Sequence, residues 1–389
     1  MAHSSGQEEA AWIAASFFRA DSAGFIKVSN TKLFQILIRQ ALNAHFFIIF
    51  ALPGGLVTLP ILFRRRAWCA LAASALICPS WVAAETTAYP QRPVRLVVPF
   101  AAGGSTDIVA RLFAQGLQEQ LGQTVYVENK AGAGGMIGAE AVAHAAPDGL
   151  TLGLGSISTL AVNPVVLKTA RVQPLRDFKM VLPLASIPSV FSMVPHMGVQ
   201  DFPQFLTQAR TAGDSWTVGS SGVGSIGHVI LEALNAELGL QLRHIPFKGM
   251  GPVVQSVLAG QTQVLSDQYP SSAPHIQAGR LQPFAVAAHQ RLPDLPQVPT
   301  LKELGYPQLN ELAITWFGLV VPAGTPDAIV QRLNQAANTA LQQPQLQAQL
   351  AKQGVTPMGG SAADLEHMVQ QTTAHVQQLV QARGISDGQ

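Results

Sequence analysis

Hydrophobic and polar positions along this chain switch repeatedly between two periods. Short apolar runs with strand character are each followed by a stretch whose apolar residues recur every three or four positions, the spacing of an amphipathic helix. Val94–Phe100 is the first such run; it opens into Ala101-Ala102-Gly103-Gly104, and the N-cap types Ser105-Thr106-Asp107 start a helix through about Gln120. Val125–Glu128 leads through the glycine loop Gly132–Gly135 to a helix from about Met136, and Leu150–Gly155 leads to a third helix. The pattern returns with Ser215–Gly219, Gln241–Pro246 and Thr262–Ser266, each followed by a helix, and then Leu281–Ala287. Strand–helix alternation of this kind predicts an α/β fold with mostly parallel sheets and right-handed crossovers.

Two apolar runs break the alternation. Met180–Val194, interrupted by Pro183 and Pro188, and Ala313–Val321 each read as a strand that crosses between lobes. Pro326–Arg383 reads as two helices that pack back onto the first lobe. The roughly 305 residues beyond the N-terminal region exceed one comfortable core. Two lobes are therefore expected, residues 85–190 with 314–389 and residues 191–313, with no internal repeat or low-complexity linker.

Residues 1–84 follow a different pattern. Two uncharged apolar runs, Phe46–Phe63 and Ala67–Ala84, flank Arg64-Arg65-Arg66. The second, ending Val82-Ala83-Ala84, has the layout of a secretory signal with cleavage after Ala84 and a mature start at Glu85. The first is long enough for a weak transmembrane helix. No methionine stands between Met1 and Met136, so the favoured expectation is a start decoded near Leu56 or Val57 and a cleavable signal within about 57–84, giving a periplasmic protein. Neither Cys69 nor Cys78 follows the small residue of a lipobox, and a mature chain without thiols suits an oxidising compartment. Seven of the 24 Lys/Arg and three of the 22 Asp/Glu lie in residues 1–84, so the apparent excess of +2 disappears from the remainder. A nucleic-acid partner gains no support.

Candidate chemistry collects in the loops after the strands. Backbone N–H groups of Ala102, Gly103 and Gly104 at a helix start, with the Ser105 and Thr106 hydroxyls, form a carboxylate or phosphate trap on the positive end of a helix dipole. Asp107 would repel an anion and is assigned a capping role; the plainer alternative is an ordinary strand–helix turn. The counterpart is Gly219–His228, with Ser220, Ser221, Gly224 and Ser225 as donors. Gly222-Val223-Gly224-Ser225-Ile226-Gly227 matches the dinucleotide pattern G-x-G-x-x-G, but Arg243–Lys248, where the confirming acid belongs, holds no Asp or Glu. Lys248 leaves an NADP-binding enzyme as the rival reading. A hydrolase lacks its elbow, since Gly219-Ser220-Ser221-Gly222-Val223 fails G-x-S-x-G at the last position. His228 reads as a helix-surface histidine, and the ten histidines contain no H-x-x-H or H-E-x-x-H pair, so no metal or other cofactor is expected. Ser156 and Ser158, after the third strand, face the same edge, while Asn163-Pro164 reads as a turn. Asp267 ends a strand of the second lobe, where it either caps the helix at Ser271-Ser272 or meets a ligand. Trp316 and Phe317 read as core or hinge.

Seven ordered segments, PFAAGGSTD (Pro99–Asp107), ENKAGAGG (Glu128–Gly135), PDG (Pro147–Gly149), GSSGVGSIGH (Gly219–His228), PFKGMGP (Pro246–Pro252), LPQVPT (Leu295–Thr300) and PAGTP (Pro322–Pro326), closely resemble the Bug family of periplasmic solute receptors, the binding components of tripartite tricarboxylate transporters. The resemblance runs from about Tyr89 to Gly384-Ile385. It implies a type II-like Venus flytrap that binds a small organic carboxylate in its cleft without catalysis. It further implies delivery to a permease of one large and one small membrane subunit, by a receptor expected to be monomeric. The resemblance implies that an aspartate at the place of Asp267 can meet a ligand ammonium group. Ser266-Asp267-Gln268-Tyr269 departs from the more usual Phe-Asp-Asn, and Gln263 stands where many relatives carry Asp, which puts the ligand's identity in doubt.

Overall fold

The computed structural model describes residues 47–52, 55–60 and 89–383. Phe47–Leu52 (β1) and Gly55–Pro60 (β2) pair antiparallel, with Phe47 opposite Pro60. This corrects the transmembrane-helix reading of the first apolar run: Pro53, Pro60 and two adjacent glycines suit a hairpin better than a continuous helix. Among the described residues no helix is long and apolar enough to cross a membrane. The segment read as a signal, Arg64–Ala84, lies outside the described residues.

In the unit beginning at Thr86, Val94–Val98 (β3), Val125–Asn129 (β4) and Thr151–Ser156 (β5) form the parallel part of a six-stranded sheet. Between them run the helices Ser105–Leu121 (α1) and Met136–Ala143 (α2). In α1, Val109, Ala110, Phe113, Ala114 and Leu117 are buried on one face, the stripe expected of a helix laid on a sheet. After β5 the chain makes a π-type turn at Ser158–Val162 and a short helix at Asn163–Val166 (α3). Asn163 was read as a turn residue; instead it is fully buried in this helical run and donates its Nδ2 to Gly134 O at 2.9 Å, while its Oδ1 is buried without a partner.

Phe178–Ile187 (β6) completes the outward path, and after Pro188 the chain enters the second sheet as Ser189–Met193 (β7). Phe202–Ala212 (α4) leads to Thr217–Ser220 (β8), Ile226–Leu238 (α5), Arg243–Pro246 (β9), Met250–Leu258 (α6), Val264–Gln268 (β10), Tyr269–Gln277 (α7) and Gln282–Ala287 (β11). Pro307–Ala313 (α8) precedes the return strand Thr315–Pro322 (β12). Thr356–Pro357 (β13) adds an edge to the first sheet, whose order is β13-β6-β12-β5-β3-β4; the second runs β11-β7-β10-β8-β9. β12 is antiparallel to both β5 and β6, and β7 to both β10 and β11. Most strands in each sheet therefore share one direction, and the reversed long strand is the one that arrives by crossing from the other sheet. A strand that enters without a helical crossover comes in from the opposite end.

β5 and β12 are buried along their whole length, as central strands covered on both faces must be. Three C-terminal helices stand where two were expected: Asp327–Leu341 (α9), Pro344–Lys352 (α10) and Ala362–Arg383 (α11). Pro344 forces the break, because it has no N–H to continue α9 and fits the first turn of a new helix. Leu333 and Ala337 of α9 and Leu346 and Leu350 of α10 share a core with Phe113 and Leu117 of α1, each large side chain contributing roughly 1.5–3 kcal/mol. α1 is held between sheet and C-terminal helices, so its N-terminus has a fixed place at the strand ends.

Candidate functional site: the cleft between the sheets

The C-terminal ends of the parallel strands of both sheets meet around one cavity of about 40 Å³, room for roughly three waters at the ~10–15 Å³ each needs. Loops of the two lobes touch around it. Ala101 N–H donates to Lys248 O at 3.3 Å, Ser271 N–H to Ser105 Oγ at 3.0 Å, and Ile226 N–H to Ser158 Oγ at 3.0 Å. Hydroxyls of the first lobe thus cap N-terminal N–H groups of α5 and α7 in the second, groups that would otherwise need water or a ligand.

Glycines permit this approach. A Cβ at Gly251 would lie 2.7 Å from Ala102 O, and one at Gly249 would lie 2.8 Å from Ala101 N. On the other flank a Cβ at Gly222, whose φ is +129°, would lie 2.9 Å from Gly134 N, and one at Gly224 would lie 2.6 Å from Leu167. The first two glycines resembling a dinucleotide fingerprint, Gly222 and Gly224, therefore accommodate the opposite lobe. The glycine loop Gly132–Gly135 is likewise a closure contact, a Cβ at Gly134 meeting Val223 O at 2.6 Å, and does not line the cavity.

The sequence-derived candidates divide into two groups. Gly104, Ser105, Thr106, Ser156, Ser158, Ser221 and Asp267 line the cavity. Gly104 is the N-cap of α1, which aims the first N–H groups of that helix inward. The Thr106 and Ser221 hydroxyls make no protein hydrogen bond among the described residues. Ser156 is tied to Thr159. The others lie elsewhere. Ala102 and Gly103 are exposed and line a separate hollow beside Gly251 and His275, and Gly103 N–H is taken by Asp107 Oδ2 at 3.1 Å. Ser225 Oγ donates to Gly222 O at 2.7 Å, and Ser220 Oγ pairs with His244 Nε2 at 2.6 Å; both hydroxyls are spent on the loop's own shape. His228 is buried against His244 and is not a surface residue.

Two aspartates show opposite electrostatics. Burial alone would raise the Asp107 pKa, but hydrogen bonds from Arg111, Asn129 and the Gly103 N–H outweigh it and hold the carboxyl below its ordinary range. Asp267 has no cation, and burial pushes it up to about 6 despite donation from the hydroxyls of Ser271 and Ser272 to Oδ2. Its Oδ1 is buried without a partner. Its dual reading as cap or ligand contact meets both features at once, one oxygen serving α7 and the other left over. Among the described residues no Lys, Arg or His lines the cavity, and no group of His, Cys, Asp and Glu is placed to hold a metal.

Several lining residues were not singled out from the sequence: Phe100, Ile157, Ser189, Ile226, Ile230, Met250 and Thr315. Ser189 and Thr315 sit at the two crossings, where Gln268 Nε2 donates to Thr315 Oγ1 at 2.8 Å. Only the register of β7 and β12 turns them inward. Phe317, read as core or hinge, also contributes an apolar wall.

Residues 109–385 match the family model described as tripartite tricarboxylate transporter family receptor. The chain is 36% identical over 278 residues to protein BugT of Bordetella pertussis, covering 71% of this chain and 84% of that protein. A solved structure described as a periplasmic transporter is 38% identical with a TM-score of 0.75, covering 77% of this chain and all of that one. MatC from Rhodopseudomonas palustris with bound malate is 33% identical with a TM-score of 0.71, over 75% of this chain and all of that one. This chain belongs to the tripartite tricarboxylate transporter receptor family, among the Bug-type solute receptors.

Proposed function

We propose that this protein is an extracytoplasmic receptor whose lobes, residues 85–190 with 314–389 and residues 191–313, close over a small organic carboxylate. The observation that carries this reading is the cavity itself, walled by the N-terminus of α1, the start of α5 and the hydroxyls of Thr106, Ser158 and Ser221. Aligned N–H groups and hydroxyls compensate one carboxylate without a basic side chain. MatC, with malate bound, supports the class.

Asp267 narrows the ligand. A second carboxylate beside its unpaired Oδ1 meets a like charge in a cation-free cavity, whereas an ammonium or other N–H donor completes it. The preferred ligand is therefore a carboxylate that also carries an amino group. A thermal-shift screen of amino acids, mono-, di- and tricarboxylates and NADP tests this. An amino-acid hit at 100 times its Kd raises stability by about 2.7 kcal/mol; stabilisation by NADP and by no carboxylate overturns the reading. The receptor is taken to work as a monomer in the periplasm, after removal of a signal near residues 57–84, and to hand its ligand to a permease of one large and one small membrane subunit.

A further inference from the structure

Two histidines stand behind the second-lobe loop, with no task in ligand contact. His244 on β9 and His228 on α5 stack with ring centroids 4.4 Å apart and planes 16° from parallel. His244 Nε2 lies 2.6 Å from Ser220 Oγ, and that oxygen accepts Gly222 N–H at 3.1 Å. His228 Nδ1 accepts Gly224 N–H at 3.4 Å. One ring thus grips the loop at residues 220 and 222, the other at 224. Between these grips Ser221 faces the cavity, and the loop ends at the cavity-lining Ile226 and Gly227.

We propose that His244 and His228 are positioning residues that, as a neutral imidazole pair, hold loop 220–225 in the shape that presents Ser221 and the start of α5 to the ligand. Hydrogen-bond chemistry requires the neutral form of His228. Nδ1 of His228 accepts only while it keeps its lone pair, which fixes the proton on Nε2. A protonated ring would turn a second N–H against Gly224 and place a charge against the stacked partner. Burial, joined for His244 by the neighbouring His228, holds both rings below the ordinary histidine range, His244 at about 4. The charged groups on the surrounding elements are few. Glu232 Oε1 on α5 lies 3.8 Å from His228 Nε2; Arg243 comes from β9, Asp267 from β10 and Glu311 from α8.

This role rests on the loop being one wall of the ligand site, so the test separates the two. Amide exchange at Gly222 and Gly224 is read by NMR in the unliganded wild type, in His244→Phe, which keeps a ring without the nitrogen that meets Ser220, and in His244→Gln, which restores a polar partner. The expected result is exchange at both glycines at least tenfold faster in His244→Phe and most protection regained in His244→Gln, with imidazole ¹⁵N shifts showing neutral, Nε2-protonated His228 at pH 7. Unchanged exchange in His244→Phe, or a charged His228 at pH 7, overturns the proposal whatever the ligand. L-aspartate and malate are then titrated calorimetrically. A tenfold weaker Kd in His244→Phe, recovered in His244→Gln, supports positioning for binding, and an unaltered Kd refutes it. If wild type binds neither probe while the amides respond, the carboxylate-receptor reading fails for those ligands and loop positioning stands.

Discussion

Asp267 is enclosed on every side, with one oxygen satisfied by two serines and the other unpaired. Its folded pKa of about 6 lies above the unfolded value near 3.8. The folded chain therefore holds an extra proton between those values, and stability declines as pH rises from about 4 to 6, the cost persisting above. Asp267→Asn removes that cost, so thermal unfolding of the unliganded protein at pH 7.5 should rise, by the equivalent of about 1–3 kcal/mol. The same substitution should weaken an amino-acid ligand by one to two decades and leave a dicarboxylate unharmed or improved. For wild type, affinity for an ammonium-bearing ligand should fall as pH drops through about 6, where the carboxyl takes a proton. Calorimetry at pH 5 and 7.5 reads both effects, and equal loss for both ligand types in Asp267→Asn would assign the residue to α7 alone.

At the scale of elements, α6 meets the loop after β3 through Gly251. This residue has an ordinary helical φ, and alanine is favoured over glycine in helices by up to about 1 kcal/mol. Gly251→Ala should leave the lobe folded and penalise only closure, since the new methyl would sit 2.7 Å from Ala102 O. Its unfolding temperature should equal or exceed wild type while ligand affinity drops more than tenfold. If Gly251→Ala binds as tightly as wild type, closure does not pass through this contact. The glycines of both loops were visible in the sequence, but it assigned them to an anion. Which of them face the other lobe follows from how the two sheets meet.

At the scale of the whole molecule, a ligand that touches both sides of the cleft should favour the closed form by its extra contacts. Small-angle scattering should show a smaller radius of gyration with saturating ligand than without. Gly251→Ala should keep the larger radius under both conditions. Secretion is checked separately, by N-terminal sequencing of protein recovered from the periplasm. A start near Glu85 is expected, and full-length chain in the membrane fraction would assign Phe46–Phe63 or the following run to an anchor.

Strand and helix positions follow from interactions within a few residues, which is why periodicity and capping residues alone located β3 to β5, β8 to β11 and both crossings. The break at Pro344 is local too, and was overlooked inside a polar helical stretch. The family was legible for a related reason, because its seven motifs are the turns that such elements require. The fate of each hydroxyl was not legible. Ser105 meets Ser271 166 positions away, Ser158 meets Ile226 68 positions away, and Ser220 and Ser225 turn back to Gly222 in their own loop. A hydroxyl is equally ready to bind a ligand, a helix end or a neighbouring loop, and only the arrangement of distant segments decides among them. The sequence by itself determined the elements, the two-sheet alternation and the loops that reach the cleft. The tertiary structure decided which donors remain free, which glycines serve closure and which carboxylate is left with an unpaired oxygen, because those depend on what the folded chain brings within hydrogen-bonding distance.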